Sequence, residues 1–129
     1  MSIPLGVRQC EFTHALALLI IRAAQEKKFV KIQELNRTIQ VQKEYVAKGV
    51  SKTLDSRHLD NLAVDMYIYD LSTSSPVADL EQYRSLGEYW ESLGGRWGGR
   101  FGLESLSKNE QNAKLGWDPY HFEFRRKDV

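Results

Sequence analysis

Leu62-Ala63-Val64-Asp65-Met66-Tyr67-Ile68-Tyr69 places Leu62, Val64, Met66 and Ile68 on one face of an extended chain and Ala63, Asp65, Tyr67 and Tyr69 on the other. Period-2 alternation of this kind marks a strand with one face against a core, and it directs Asp65 away from that core. A second stretch, Tyr120-His121-Phe122-Glu123-Phe124, alternates in the same way, with Tyr120, Phe122 and Phe124 set against His121 and Glu123. His121 therefore also points away from its apolar neighbours.

Helical spacing takes over elsewhere. Phe12, Leu16, Leu19, Ile20 and Ala23 recur as one apolar stripe and predict a helix over 12–27, with His14 on its exposed side. Phe29, Val30, Ile32 and Leu35 predict a strand over 29–35. Thr38 offers an N-cap for a helix over 39–48, which Gly49 closes. After a loop at 72–75, Pro76 suits the first position of a third helix, whose stripe of Leu80, Tyr83, Leu86, Trp90 and Leu93 ends at Gly94 and Gly95. Trp90 on that stripe belongs to the core. Residues 96–101 read as a Gly-rich turn or bulged strand, and 108–114 as a polar surface loop. Helices mixed with separated strands, without a regular strand-helix-strand repeat, predict an α+β fold: a small, mainly antiparallel sheet with helices packed on one face, in a single domain over 1–129.

Composition narrows the function classes. A chain of 129 residues is one domain's worth, large enough to bury a core without staples. Its 42% hydrophobic and 27% charged residues are those of an ordinary folded globular protein. The formal charge of +1, with both signs interspersed, lacks the basic field that drives binding to nucleic acid or a membrane surface. Cys10 is the only cysteine, which excludes an internal disulfide and a Cys-rich structural zinc site. The apolar run at 15–21 is too short to span a bilayer and meets Arg22 directly. Neither a signal peptide nor membrane insertion is expected, so synthesis in the cytoplasm is the expectation, and the chain is expected to be a monomer.

Catalytic zinc sites take three ligands from His and carboxylate and leave a fourth position open. The chain has three histidines. His58 precedes Asp65 by a short loop that can fold back over the strand, and His121 projects in the same sense from another strand. His58, Asp65 and His121 thus form a facial trio suited to zinc. Taken singly, each His is explained as well by a surface or hydrogen-bonded role.

At this point the residues resemble a known family, the zinc peptidases that include D-alanyl-D-alanine carboxypeptidases, related dipeptidases and phage L-alanyl-D-glutamate endolysins. Ser56-Arg57-His58-Leu59-Asp60-Asn61-Leu62-Ala63-Val64-Asp65 is similar to its Ser-x-His-x-x-Gly-x-Ala-x-Asp motif, and Asp118-Pro119-Tyr120-His121 is similar to its acid-x-x-His motif. Asn61 stands where the family has glycine, a change that left-handed backbone angles tolerate. Asn36 stands where an aromatic residue is frequent.

The resemblance implies that His58, Asp65 and His121 hold Zn2+ and that Asp118 is the general base. It further implies that Arg37, beside Thr38, contacts substrate and steadies developing negative charge. The expected substrate is the peptidoglycan stem peptide, cut by an L-alanyl-D-glutamate endopeptidase of the phage endolysin type that reaches the wall on host lysis. A D-alanyl-D-alanine carboxypeptidase or dipeptidase, and a non-catalytic zinc-containing wall-binding protein, are the alternatives. Glu123 is open between a partner of His121 and a plain strand residue. Trp97, Arg100 and Trp117 are open between lining a cleft and packing.

Overall fold

The elements run in the order α1 Leu5–Gln25, β1 Phe29–Glu34, α2 Ile39–Ala47, β2 Ala63–Asp70, β3 Ser75–Pro76, α3 Arg84–Ser92, β4 Arg96–Trp97, α4 Lys108–Ala113 and β5 His121–Glu123. They are seen in a computed structural model that describes residues 3–35, 39–49 and 62–125. Among the described residues every strand pairing is antiparallel, in the order β1-β2-β5-β4, with β3 added to β2. The expected α+β architecture is the observed one.

The alternation in β2 and β5 is what seats the sheet. Val64, Met66 and Ile68 of β2, with Phe122 and Phe124, meet Phe12, Leu16, Leu19 and Ala23 of α1 and Leu86 and Trp90 of α3. Full burial of each large side chain contributes about 1.5–3 kcal/mol, so this layer is the main source of stability. Trp90 presents ring edges to Phe12 at 5.7 Å and to Phe122 at 6.0 Å, and its indole N–H donates to the Glu123 carbonyl at 2.9 Å. A buried indole N–H needs such a partner. The buried Tyr83 hydroxyl accepts the Ile68 N–H at 2.8 Å, which ties the start of α3 to the sheet.

Three boundaries differ from expectation, each for a local reason. α1 begins at Leu5, not at residue 12, because Leu5 packs on the core and the Arg8 guanidinium covers the Phe124 ring at 4.5 Å. Its first turns are held by a snorkelling cation that an apolar stripe does not reveal. Pro76 does not start a helix. It sits in β3 opposite Tyr69, an edge position where a missing N–H costs nothing. Asp79 is the cap instead, its carboxylate accepting the Glu81 N–H at 3.1 Å before a 3-10 turn that leads into α3. Residues 108–113 are helical because Ser107 and Glu110 form a reciprocal capping box, with Glu110 N–H to Ser107 Oγ at 3.2 Å and Ser107 N–H to Glu110 Oε1 at 3.3 Å. Among the described residues no helix is long and apolar enough to cross a membrane.

Glu26 joins the end of α1 to the start of α3. Its carboxylate accepts from Arg22 Nε at 2.8 Å, Lys28 Nζ at 2.8 Å and Ser85 Oγ at 2.5 Å. Burial opposes the charge, but these donors outweigh it and lower the Glu26 pKa from 4.5 to about 2. The folded state thus binds the carboxylate form more tightly than the unfolded chain does. The resulting contribution, about 3 kcal/mol before solvent screening reduces it, is complete above pH 4.5 and is lost as pH falls toward 2. Urea unfolding of wild type and Glu26→Gln across pH 2–7 checks this. The variant is expected to be less stable at pH 7, with the gap closing at the acidic end.

Candidate metal centre

β2 and β5 pair so that Asp65 lies directly opposite His121. Residues opposed in an antiparallel pair put their side chains side by side on one face, here the face turned away from α1 and α3. The Asp65 Oδ1 to His121 Nδ1 distance is 2.9 Å. Asp118 enters from the turn that precedes β5, which closes through His121 N–H to the Asp118 carbonyl at 3.1 Å. Its Oδ2 reaches to 4.0 Å from the same Nδ1. Asp65, Asp118 and His121 therefore each offer an atom within 4.8 Å of the others.

The second ring nitrogen of His121 is committed elsewhere. Nε2 lies 2.7 Å from Glu123 Oε1, and the other Glu123 oxygen takes Arg96 Nη1 at 3.4 Å. In the neutral ring, donation from Nε2 to Glu123 leaves the Nδ1 lone pair facing Asp65 and Asp118. Phe101 packs on the His121 ring at 5.6 Å, and the Arg96 guanidinium lies 5.2 Å from the Phe101 centroid. Under this cover His121 is only 8% exposed. Burial alone would lower its pKa; hydrogen bonds that the ring donates to the Asp65 and Glu123 carboxylates, with their negative charge, outweigh that and raise it to about 9. The setting is strongly anionic, which is the electrostatic condition for holding a cation. The His121 imidazole nitrogen and the Asp65 carboxylate are donors of the kind divalent zinc takes, and the Asp118 carboxylate lies beside them.

Of the residues singled out in the sequence, Asp65, Asp118 and His121 come together. His58 and Arg37 lie outside the described residues, as does Thr38. Glu123 is the partner of His121, and its alternation with Phe122 and Phe124 already placed it on the correct face. Arg96 and Phe101 were not anticipated, because their approach depends on a turn distant in sequence. Tyr67 shares the face of Asp65 by the same alternation. Burial, then the charges of Tyr120, Asp65 and Asp118, raise its pKa, so it stays a neutral hydroxyl beside the carboxylates.

Trp97 and Arg100 do not line a cleft. Trp97 is 1% exposed and donates its indole N–H to the Pro119 carbonyl at 2.8 Å. Arg100, 7% exposed, forks onto Glu91 through Nε and Nη2, each at 3.1 Å, and gives Nη1 to Asn112 Oδ1 at 3.0 Å. It thereby pins the 3-10 turn Gly98–Arg100 to α3 and α4. That turn carries the Asp118 segment: Gly116 N–H donates to Gly99 O at 2.5 Å, Trp117 N–H to Phe101 O at 3.2 Å and Asp118 N–H to Gly98 O at 3.2 Å. A Cβ on Gly98 would fall 1.9 Å from the Asp118 carbonyl oxygen, so the two backbones touch directly.

No protein-family model matches the chain, and no curated protein matches it in sequence. Solved structures match in fold. The L-Ala D-Glu endopeptidase ChiX of Serratia marcescens is 24% identical, with a TM-score of 0.57 over 84% of this chain and 77% of that one. The vancomycin-resistance D,D-pentapeptidase VanY, in complex with Zn(II), is 21% identical, with a TM-score of 0.56 over 88% and 70%. The LD-carboxypeptidase LdcB is 16% identical, with a TM-score of 0.56 over 88% of this chain but 57% of its own length. Similarity at these identities establishes a shared fold.

The Arg100 fork predicts a local effect of its removal. In Arg100→Met, amide exchange at Gly116, Trp117 and Asp118 should rise about tenfold or more, equivalent to ~1.4 kcal/mol or more of lost local protection. Amides of the β2–β5 ladder should be unchanged, and hydrogen-exchange NMR reads both sets. A uniform rise across the chain would instead mean that Arg100 serves only global stability.

Proposed function

We propose that the chain is a zinc-dependent peptidase that hydrolyses a peptide bond of the peptidoglycan stem peptide, with the bond between L-alanine and D-glutamate as its target. The observation that carries this reading is the convergence of Asp65, Asp118 and His121 within 4.8 Å on the face of the β2–β5 pair turned away from α1 and α3. The fold shared with ChiX and with Zn(II)-bound VanY, and the His58-to-Asp65 motif, support it.

In this reading His58, Asp65 and His121 hold the ion and Glu123 orients His121. A zinc ion bound there supplies Lewis-acid polarisation of the scissile carbonyl and lowers the pKa of water toward neutrality. Asp118 takes the proton from the attacking water at its carboxylate and delivers it to the leaving amine. By its resemblance to the family's Arg-Thr pair, Arg37 is assigned to steady the negative charge that develops on the carbonyl oxygen, a role that contributes a few kcal/mol to the barrier in comparable sites. Tyr67 offers a neutral O–H donor to substrate from the same face. The activity fits a wall-degrading enzyme of the phage endolysin type.

Mass spectrometry of fragments released from purified peptidoglycan tests the proposal, with parallel samples in chelator and in chelator followed by excess zinc. Fragments with new D-glutamyl amino termini should appear, vanish with chelator and return with zinc. Release of terminal D-alanine would assign the carboxypeptidase reaction instead; VanYB, 21% identical, has been seen with D-alanine-D-alanine bound. No product in any sample would leave a wall-binding role. His58→Ala and His121→Ala should lose zinc and hydrolysis together. Asp118→Asn should keep zinc while the rate falls about 10²–10⁴-fold, the usual loss for a general base.

A further inference from the structure

Trp90 and Trp97 are buried, each with its indole N–H on a backbone carbonyl, whereas Trp117 is 65% exposed. A single exposed aromatic residue is ordinary, but this one is held in place. Its backbone N–H donates to the Phe101 carbonyl at 3.2 Å, and its ring rests on the Phe101 ring at 5.3 Å and 53°. Gly102, with φ +87, lies beneath it; a Cβ there would come within 3.1 Å of Trp117 Cδ1. The indole thus lies across a turn that a side chain would obstruct. Phe101 also packs on His121 at 5.6 Å, and the residue after Trp117 is Asp118. The exposed ring and the metal cluster are parts of one wall.

We infer that Trp117 is the platform on which the N-acetylated amino sugar bearing the stem peptide stacks, an inference that rests on the proposed cut at the first peptide bond of the stem. A pyranose presents a face of C–H groups that an aromatic plane accepts without needing a charge. A ring already fixed by Phe101 and Gly102 loses little conformational freedom on binding. Reach favours the sugar. The stem is joined to it through a lactyl group and the first residue, so the pyranose starts about two residue lengths, ~7 Å, from the bond to be cut. Trp117 is the immediate neighbour of Asp118, with the Cα atoms ~3.8 Å apart. A cut at the far end of the stem would put the sugar ~10 Å or more further away, beyond this ring.

Intrinsic fluorescence of the metal-free protein tests this, because the two other tryptophans are buried and an added ligand is sensed by Trp117. The probes are N-acetylmuramyl-L-alanyl-D-isoglutamine and N-acetyl-L-alanyl-D-isoglutamine, which differ only in the sugar. The sugar-bearing probe should change the emission and bind about tenfold tighter. Trp117→Ala, with binding followed by calorimetry, should erase that preference, and Trp117→Phe should retain part of it. Equal binding of the two probes, no binding of the muramyl probe, or a preference that survives in Trp117→Ala overturns the inference. With zinc restored, equal hydrolysis of both probes overturns the platform while leaving the proposed bond intact. Hydrolysis of neither, with D-alanine released from longer stems, overturns the bond assignment and the platform with it.

Discussion

Asp65 and His121 face each other because the β2–β5 register allows nothing else. Val64 and Met66 on one strand and Phe122 on the other are buried among α1 and α3, and side chains alternate with a period of two. A slip of one residue would drive Asp65 into that apolar layer and expose Val64 and Met66. Burying an unpaired carboxylate costs far more than a strand pair contributes, so the hydrophobic layer and the acidic site specify the same register. The chemistry on one face is held in place by packing on the other.

The remaining parts correct what a strand pair alone leaves loose. A histidine ring can rotate about its side-chain torsions, and Glu123, itself held by Arg96, removes that freedom by bonding Nε2. Phe101 closes over the ring and excludes water, so the charges of Asp65 and Glu123 act on His121 at short range and low screening. Asp118 is positioned differently. It lies on a turn, and its backbone is bonded to the Gly98–Arg100 turn, which Arg100 pins to two helices. Placement through the main chain fixes where the Asp118 carboxylate starts while leaving its side-chain torsions free.

The sequence made the strand-borne half of the centre legible and the loop-borne half only partly so. Asp65, His121 and Glu123 could be placed because alternation fixes which way a strand residue points once its neighbours are apolar. Asp118 could be named only through a resemblance in motif, since a turn before proline has many explanations. Arg100 and Trp97 were open between cleft and core because both flank a glycine-rich turn whose partner segment lies at 116–118, a non-local pairing that carries no periodic signal. Pro76 misled for a related reason. It suits a helix start and an edge strand equally, and the Val77 N–H to Ile68 carbonyl bond that decides between them closes a β2–β3 hairpin, a strand pairing that the helical spacing of the following residues hides. The capping box at Ser107 and Glu110 was a local signal strong enough to outweigh the polarity of the segment that follows it.

Burial sorts the aromatic residues around the centre by where their polar atoms find partners. Trp90 and Trp97 each have a carbonyl within 3 Å of the indole nitrogen, at Glu123 and Pro119, and both carbonyls belong to the segment that carries His121. Those two rings therefore steady the His121 strand from the core side. Trp117 is placed through its backbone and the Phe101 ring, which leaves most of the indole facing solvent. The same residue type packs under the His121 strand in two cases and lies beside Asp118 at the surface in the third.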